Sequence, residues 1–318
     1  MKRLVRLFLL LLLVLLAGYL IINYRSDIPV ETLKAKYATG ASRFLTVDDL
    51  SVHYRDEGPR TDSVPLVLIH GTGASLLTWN AWVTDLARDH RVIRLDLPAY
   101  GLTGPNQTNT YGGDYYAQFL HTFLQKLGVS RCDMGGNSLG GGVSWRYALN
   151  YPTEVRNLIL VDAGGYPMQS KSVPIAFRLA RVPVLKDLLV NITPRSIVEN
   201  SLRNVYVDQS RVTDALVDQY MDMARRTGNR QAFIARMGTP ISDSTYLKIP
   251  TIRQRTLVLW GAKDYLIPVE NAERFHRDLP NDTLVVMPNA GHVPMEELPD
   301  ETVRIVRMFL VPTQLPRK

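Results

Sequence analysis

Residues 132–142 read Cys-Asp-Met-Gly-Gly-Asn-Ser-Leu-Gly-Gly-Gly. Residues 132–135 have the length and apolar character of a short buried strand, and residues 139–150 carry a helical pattern. Between them, Gly136-Asn137-Ser138-Leu139-Gly140 is a G-x-S-x-G pattern in the strand-to-helix setting that a nucleophile elbow requires. The turn is tight and strained, so its flanks must be small, and it pushes the serine Oγ out over the sheet edge. Gly141 and Gly142 extend the small run and predict close packing of the following helix.

The rest of the chain supplies the sheet such an elbow needs. Residues 64–70, 92–95, 158–161, 256–260 and 284–287 read as further short buried strands. Helical patterns occupy 76–88, 114–127, 269–277 and 297–310, and an Asp48-Asp49 turn between 43–47 and 50–55 predicts a hairpin opening the domain. Alternation on this scale predicts an α/β fold, a mostly parallel sheet covered by helices on both faces. Residues 166–250 break the rhythm: helical patterns are punctuated by Pro174, Pro183, Pro194 and Pro240, with little sign of a strand. The predicted organisation is a core of 31–165 and 251–318 interrupted by a helical insertion at 166–250.

A serine hydroxyl needs a base to remove its proton, and the base needs an acid to orient it. Asp264, in Gly261-Ala262-Lys263-Asp264, follows the strand ending at Trp260, and His292, in Asn289-Ala290-Gly291-His292, follows the last strand. Both fall at carboxyl ends of parallel strands, where catalytic groups collect. The chain order Ser, Asp, His fits an elbow of this type. Asp162, after the strand 158–161, is an alternative acid. The loop His70-Gly71-Thr72-Gly73 can turn backbone N–H groups toward the nucleophile, so Thr72 N–H and Leu139 N–H are the candidate oxyanion donors. His70 is expected to brace that loop through hydrogen bonds. Asp133 on the nucleophile strand requires buried partners, and Cys132 reads as an apolar filler. The remaining histidines, His53, His90, His121 and His276, lie near no partner motif.

With these motifs in order, residues 43–311 resemble the α/β-hydrolase superfamily, in its serine-nucleophile branch with a cap. The segment Asp96-Leu97-Pro98-Ala99-Tyr100-Gly101 is similar to the family's loop after the fourth strand, and 166–250 is similar to its mobile cap. Gly-Asn-Ser-Leu-Gly-Gly is similar to meta-cleavage-product hydrolases and related esterases. The resemblance implies an eight-stranded, mostly parallel sheet and a Ser138, His292, Asp264 triad needing no cofactor or metal. Epoxide hydrolases and haloalkane dehalogenases carry Asp at the nucleophile position, and Ser138 argues against both.

The chain has 318 residues, 46% hydrophobic, and one cysteine, so a disulfide framework and a disordered chain are both excluded. Its net charge of +7 divides unevenly: +3 in residues 1–30, −1 in 31–165, +5 in 166–250 and 0 in 251–318. No basic run interleaved with aromatics points to nucleic acid. Residues 7–22 are uncharged, and residues 5–24, with Arg6 snorkelling, would span about 30 Å. Lys2, Arg3 and Arg6 precede this run and Arg25 follows it, which predicts a signal-anchor with a cytoplasmic N-terminus and an exported catalytic domain. A cleaved signal peptide competes, but Ala17 and Gly18 have leucines at their −3 positions, Leu15 and Leu16, and no Cys follows Leu-Ala-Gly. The expected function is a membrane-anchored serine hydrolase acting on a small-molecule carboxylic ester. The alternatives are C–C hydrolysis of a diketone, and a non-catalytic binding module on the same fold.

Overall fold

The structure, a computed structural model, describes residues 2–183, 185–239 and 243–311. Its strands are β1 (Ser42–Val47), β2 (Leu50–Glu57), β3 (Leu66–Ile69), β4 (Val92–Leu95), β5 (Cys132–Asn137), β6 (Val155–Val161), β7 (Arg255–Gly261) and β8 (Asp282–Met287). The helices before β6 are α1 (Lys2–Asn23), α2 (Val30–Tyr37), α3 (Asn80–Leu86), α4 (Gly113–Lys126) and α5 (Leu139–Asn150). Between β6 and β7 lie α6 (Ile175–Leu179), α7 (Leu185–Leu189), α8 (Arg195–Val205), α9 (Asp214–Arg225) and α10 (Asn229–Gly238). The last helices are α11 (Glu270–Asp278), α12 (Pro294–Glu297) and α13 (Pro299–Leu310).

One eight-stranded sheet runs in the order β1-β2-β4-β3-β5-β6-β7-β8. The β1–β2 and β2–β4 pairs are antiparallel, and every pairing from β4 to β8 is parallel. Alternate strand residues face opposite layers. Leu66, Leu68, Ile159, Val161, Leu257 and Leu259 pack with Trp82 of α3 and Phe309 of α13. Val67, Ile69, Met134, Leu158, Leu160 and Val258 pack with Phe123 of α4, Trp145 of α5 and Phe275 of α11. Because both faces are covered, the central strands read as continuous apolar runs.

Two predicted helices change form. Residues 76–88 begin with a 3₁₀ turn, Leu76–Trp79, before α3. The helix predicted over 297–310 is two, because Leu298 precedes Pro299 and is driven to φ −127°, ψ 57°, outside the helical region. In the insertion, Pro174 and Pro194 stand immediately before α6 and α8, while Pro240 lies outside the described residues. No strand occurs in the insertion among the described residues.

α1 is 22 residues long with a mean hydropathy of 2.8 over its most apolar window, and none of that window is buried. The segment after it is not a free tether. Tyr24 bridges Ile192, Arg25 N–H donates to Asn191 O at 2.8 Å, and Ile28 N–H donates to Arg225 O at 2.7 Å. Asp27 pairs with Arg230 at 2.6 Å, and Asp222 of α9 receives Lys36 Nζ and Tyr37 OH from α2. Leu33 of α2 is buried with Leu102 and Met223. Residues 24–37 are therefore fastened to the helical insertion, an arrangement that no local sequence pattern announces.

Candidate active site

The elbow takes its shape from close backbone approach. Ser138 sits at φ 55°, ψ −115°, directly before α5, a strained conformation for a non-glycine residue. A Cβ at Gly136 would lie 2.3 Å from the Gly140 carbonyl, one at Gly140 2.1 Å from Ile69 O, and one at Gly141 2.5 Å from Ala163 Cβ. Gly142 is the loosest of the run, 3.2 Å from Gly164 O. The glycines let α5 press against the ends of β3 and β6, which holds Ser138 at the sheet edge.

Acid and base meet there. His292 Nδ1 lies 2.7 Å from Asp264 Oδ2, and Asp264 Oδ1 accepts Leu266 N–H at 2.8 Å and Ile267 N–H at 2.9 Å. The carboxylate is thus fixed by two backbone donors, so Nδ1 carries the proton and Nε2 is left as the basic nitrogen. Asp162 is not the residue on Nδ1. Asn137, the variable residue before the serine, donates its amide to Val161 O at 3.2 Å and His292 O at 2.9 Å, joining elbow and base loop. Glu297, buried in α12, accepts Gly291 N–H at 2.6 Å and Asp208 N–H at 3.0 Å, with Val207 N–H at 2.5 Å. His292 N–H donates to Val205 O at 3.0 Å. Sequence reasoning missed Asn137, which reaches His292, and Glu297, which reaches Val207 and Asp208, because these partners lie far along the chain.

The loop after β3 is equally constrained. Leu97 N–H donates to His70 Nε2 at 3.0 Å, so the His70 proton is on Nδ1, which donates to Gly71 O at 2.8 Å. Burial lowers the pKa of His70 and keeps the ring neutral. A Cβ at Gly71 would lie 2.8 Å from Asn137 Oδ1 and 3.2 Å from Ser138 Cβ, and Gly73 adopts φ 79°. Thr72 therefore follows the point of closest approach to the serine. Leu139 opens α5, where N–H groups have no acceptor within the helix. The two candidate donors, Thr72 N–H and Leu139 N–H, thus belong to different elements.

Other singled-out residues have satisfied surroundings. Asp133 accepts both Arg156 nitrogens, at 2.8 and 2.5 Å, together with the backbone and side-chain N–H groups of Asn157. Cys132 is buried. His53, read as lying near no partner, is buried against Asp96, Nδ1 to Oδ2 at 2.7 Å. That carboxylate also accepts Leu76 N–H and Leu102 N–H, pinning the segment Asp96–Gly101 similar to the family's fourth-strand loop. His90, His121 and His276 face Asp62, Glu154 and Asp282 away from the serine.

Ser138, His292, Gly71, Thr72 and Gly73 line a cavity of about 170 Å³ beneath the insertion. Its other walls are mainly apolar, with Phe177, Ile197, Leu202, Phe233 and Leu266 among them. Arg230 also reaches this lining, but its guanidinium is paired with Asp27. An imidazole bonded to a fixed carboxylate and a serine at the sheet edge, both lining one cavity, make up a site suited to nucleophilic acyl chemistry.

The family described as alpha/beta hydrolase fold matches residues 64–299. An uncharacterised protein of Mycobacterium tuberculosis is 30% identical over 266 residues, 78% of this chain and 76% of its own. A 2-hydroxy-6-oxo-2,4-heptadienoate hydrolase of Pseudomonas putida is 29% identical, covering 77% of this chain and 88% of its own. The crystal structure of a bacterial membrane phospholipase A superposes with a TM-score of 0.73 at 29% identity, covering 98% of both chains. The chain belongs to the alpha/beta hydrolase fold family and is a hydrolase of that fold.

Proposed function

We propose that this protein is a membrane-anchored serine hydrolase that cleaves carboxylic esters with apolar acyl groups. Ser138 Oγ attacks the ester carbonyl while His292 Nε2 takes its proton, and Asp264 holds the imidazole in the required tautomer. Thr72 N–H and Leu139 N–H receive the developing oxyanion. Collapse expels the alkoxide, which leaves as the alcohol by taking from His292 the proton that came from Ser138. Water, deprotonated by His292, then attacks the acyl-Ser138 ester, and His292 returns that proton to Ser138 as the acid leaves.

The observation carrying this reading is the cavity: apolar walls around Ser138 and His292, roofed by an insertion that is itself hydrogen-bonded to the residues following α1. In this reading α1 spans the bilayer with its N-terminus in the cytoplasm, residues 166–250 act as a cap, and the cavity mouth stays near lipid. The membrane phospholipase A supports the same reading through its coverage of the whole chain. The Pseudomonas putida relative supports a second chemistry, C–C hydrolysis on the same triad. A dienoate substrate carries a carboxylate, however, and the guanidinium in this cavity already has Asp27.

The test is turnover of p-nitrophenyl butyrate and labelling by a fluorophosphonate, on the detergent-solubilised full chain. Ser138→Ala is expected to lose both, and retained turnover rejects the assignment. Faster cleavage of a dienol-ketone acid than of aryl esters would favour the C–C reading. Intact mass of the membrane fraction tests the anchor, since a chain starting near residue 20 would reject it.

A further inference from the structure

We propose that Asp162 keeps its proton in the folded enzyme at neutral pH and donates it to Asp264, so that two buried carboxyl groups carry one negative charge and orient His292 together. The proposal rests on the Ser138, His292, Asp264 reading above, and assigns Asp162 the part of a positioning residue.

Asp162 directly follows β6 beside the end of β7, is fully buried, and takes the left-handed backbone value φ 44°. That turn directs its carboxyl between the strand ends. Oδ1 accepts Gly261 N–H at 3.0 Å, while Oδ2 is buried with no donor among the described residues. What it meets instead are Asp264 and His292: one oxygen from each carboxyl and one ring nitrogen lie within 4.8 Å of each other. Glu297, from α12, also faces it among the described residues. Two carboxylates this close in a buried site do not both ionise.

The donor count decides which one holds the proton. Asp264 receives three donors, Leu266 N–H, Ile267 N–H and His292 Nδ1. Asp162 receives a single backbone N–H. Burial, followed by the charge of Asp264, pushes the Asp162 carboxyl well above the usual range. An O–H on Oδ2 satisfies that buried oxygen and gives Asp264 a further donor. It also draws electron density from the Asp264 carboxylate that faces His292 Nδ1.

Asp162→Asn is the isosteric test, because the amide oxygen can accept Gly261 N–H while its N–H donates to Asp264. The first readout is thermal stability against pH, which needs no activity. A carboxyl whose folded pKa is raised gives stability that is complete below its unfolded pKa, about 4, and lost as pH rises through the folded value. Asp162→Asn should therefore gain melting temperature relative to wild type as pH rises from 5 to 8. The second readout is the acidic limb of kcat/KM on p-nitrophenyl butyrate. It should stay in place for Asp162→Asn and move to higher pH for Asp162→Ala, which strips a donor from Asp264. If Asp162 is ionised instead, Asp162→Asn removes an anion beside His292, the limb moves down by about one pH unit, and the pH-dependent stability gain is absent. That pair of results overturns the proposal. Should Asp162→Ala not fold, Asp162→Asn decides alone. Loss of the triad reading would show instead as turnover surviving Ser138→Ala, leaving the stability readout intact.

Discussion

Replacing Gly140 by Ala adds one methyl where the structure has backbone. The new Cβ would sit 2.1 Å from Ile69 O, 2.6 Å from Ile69 C and 2.7 Å from His70 O, whereas real Cβ contacts stay beyond 3.0 Å. The start of α5 and the end of β3 must therefore part by about 1 Å, and those are the elements carrying Leu139 N–H and the Thr72 loop. A displacement of that size at a reacting centre costs on the order of 10² in rate, and complete loss of one oxyanion donor about 10²–10³. Gly140→Ala should lower kcat on p-nitrophenyl butyrate by about 10²-fold or more, with a smaller change in KM, since the oxyanion forms after binding. Gly142→Ala is the internal control: its Cβ meets Gly164 O at 3.2 Å, which asks for a few tenths of an ångström. Stopped-flow turnover with fluorophosphonate active-site counting separates a slow site from a misfolded fraction. A Gly140→Ala enzyme with kcat within about threefold of wild type and normal labelling would refute the argument, because that loss is well short of one oxyanion donor.

Three further outcomes follow from the same structure. Asn137→Ala removes both amide hydrogen bonds to Val161 O and His292 O and should lower stability by about 1–3 kcal/mol while reducing kcat more than KM, measured by chemical denaturation and steady-state kinetics. Asp96 is buried, which alone would raise its pKa, yet the His53 charge and hydrogen bonds outweigh burial and hold it below the usual carboxylate value. Its stabilisation is thus complete above the unfolded pKa of about 4 and is lost as pH falls through the folded value. Asp96→Asn should be destabilised in guanidinium at pH 7, with the gap to wild type narrowing below pH 4. Leu185 and Leu188, exposed on α7, lie just before Asn191, which accepts the Arg25 N–H at the end of α1. Leu185→Asp with Leu188→Asp should lower activity on acyl esters embedded in vesicles several-fold and leave p-nitrophenyl butyrate unchanged; equal loss on both substrates would sink the idea of an interfacial surface.

The sequence was most informative where chemistry and strand ends coincide. Ser138, Asp264 and His292 each follow a short strand of the parallel part of the sheet, so their shared edge can be read from order alone. Tight glycines were legible as a class, but that Gly140 and Gly141 are crowded while Gly142 has room depends on Ile69, Ala163 and Gly164. The pairs His53–Asp96, Asp27–Arg230 and Glu297–Val207 escaped because each joins residues at least 43 positions apart that only the tertiary fold brings together. α2 escaped for a related reason: its stability comes from Leu33 against Met223 and from Asp222, not from a helical signature of its own. The charge of the insertion was misleading in one respect, since Arg230 is buried in the cavity wall rather than displayed to solvent.

Glu297 grips the base loop through Gly291 and the end of α8 through Val207 and Asp208, while Val205 O holds His292 N–H. The insertion is therefore hydrogen-bonded to the base loop just after α8, at the opposite end of that helix from the Asn191 and Ile192 contacts with Arg25 and Tyr24. The same clamp sets a boundary for recombination between relatives. Exchanging residues 170–200 would trade cavity walls such as Phe177 and Ile197 and leave the base loop's partners whole, whereas an exchange that replaces Glu297 would strip the acceptor from Gly291, Val207 and Asp208 at once.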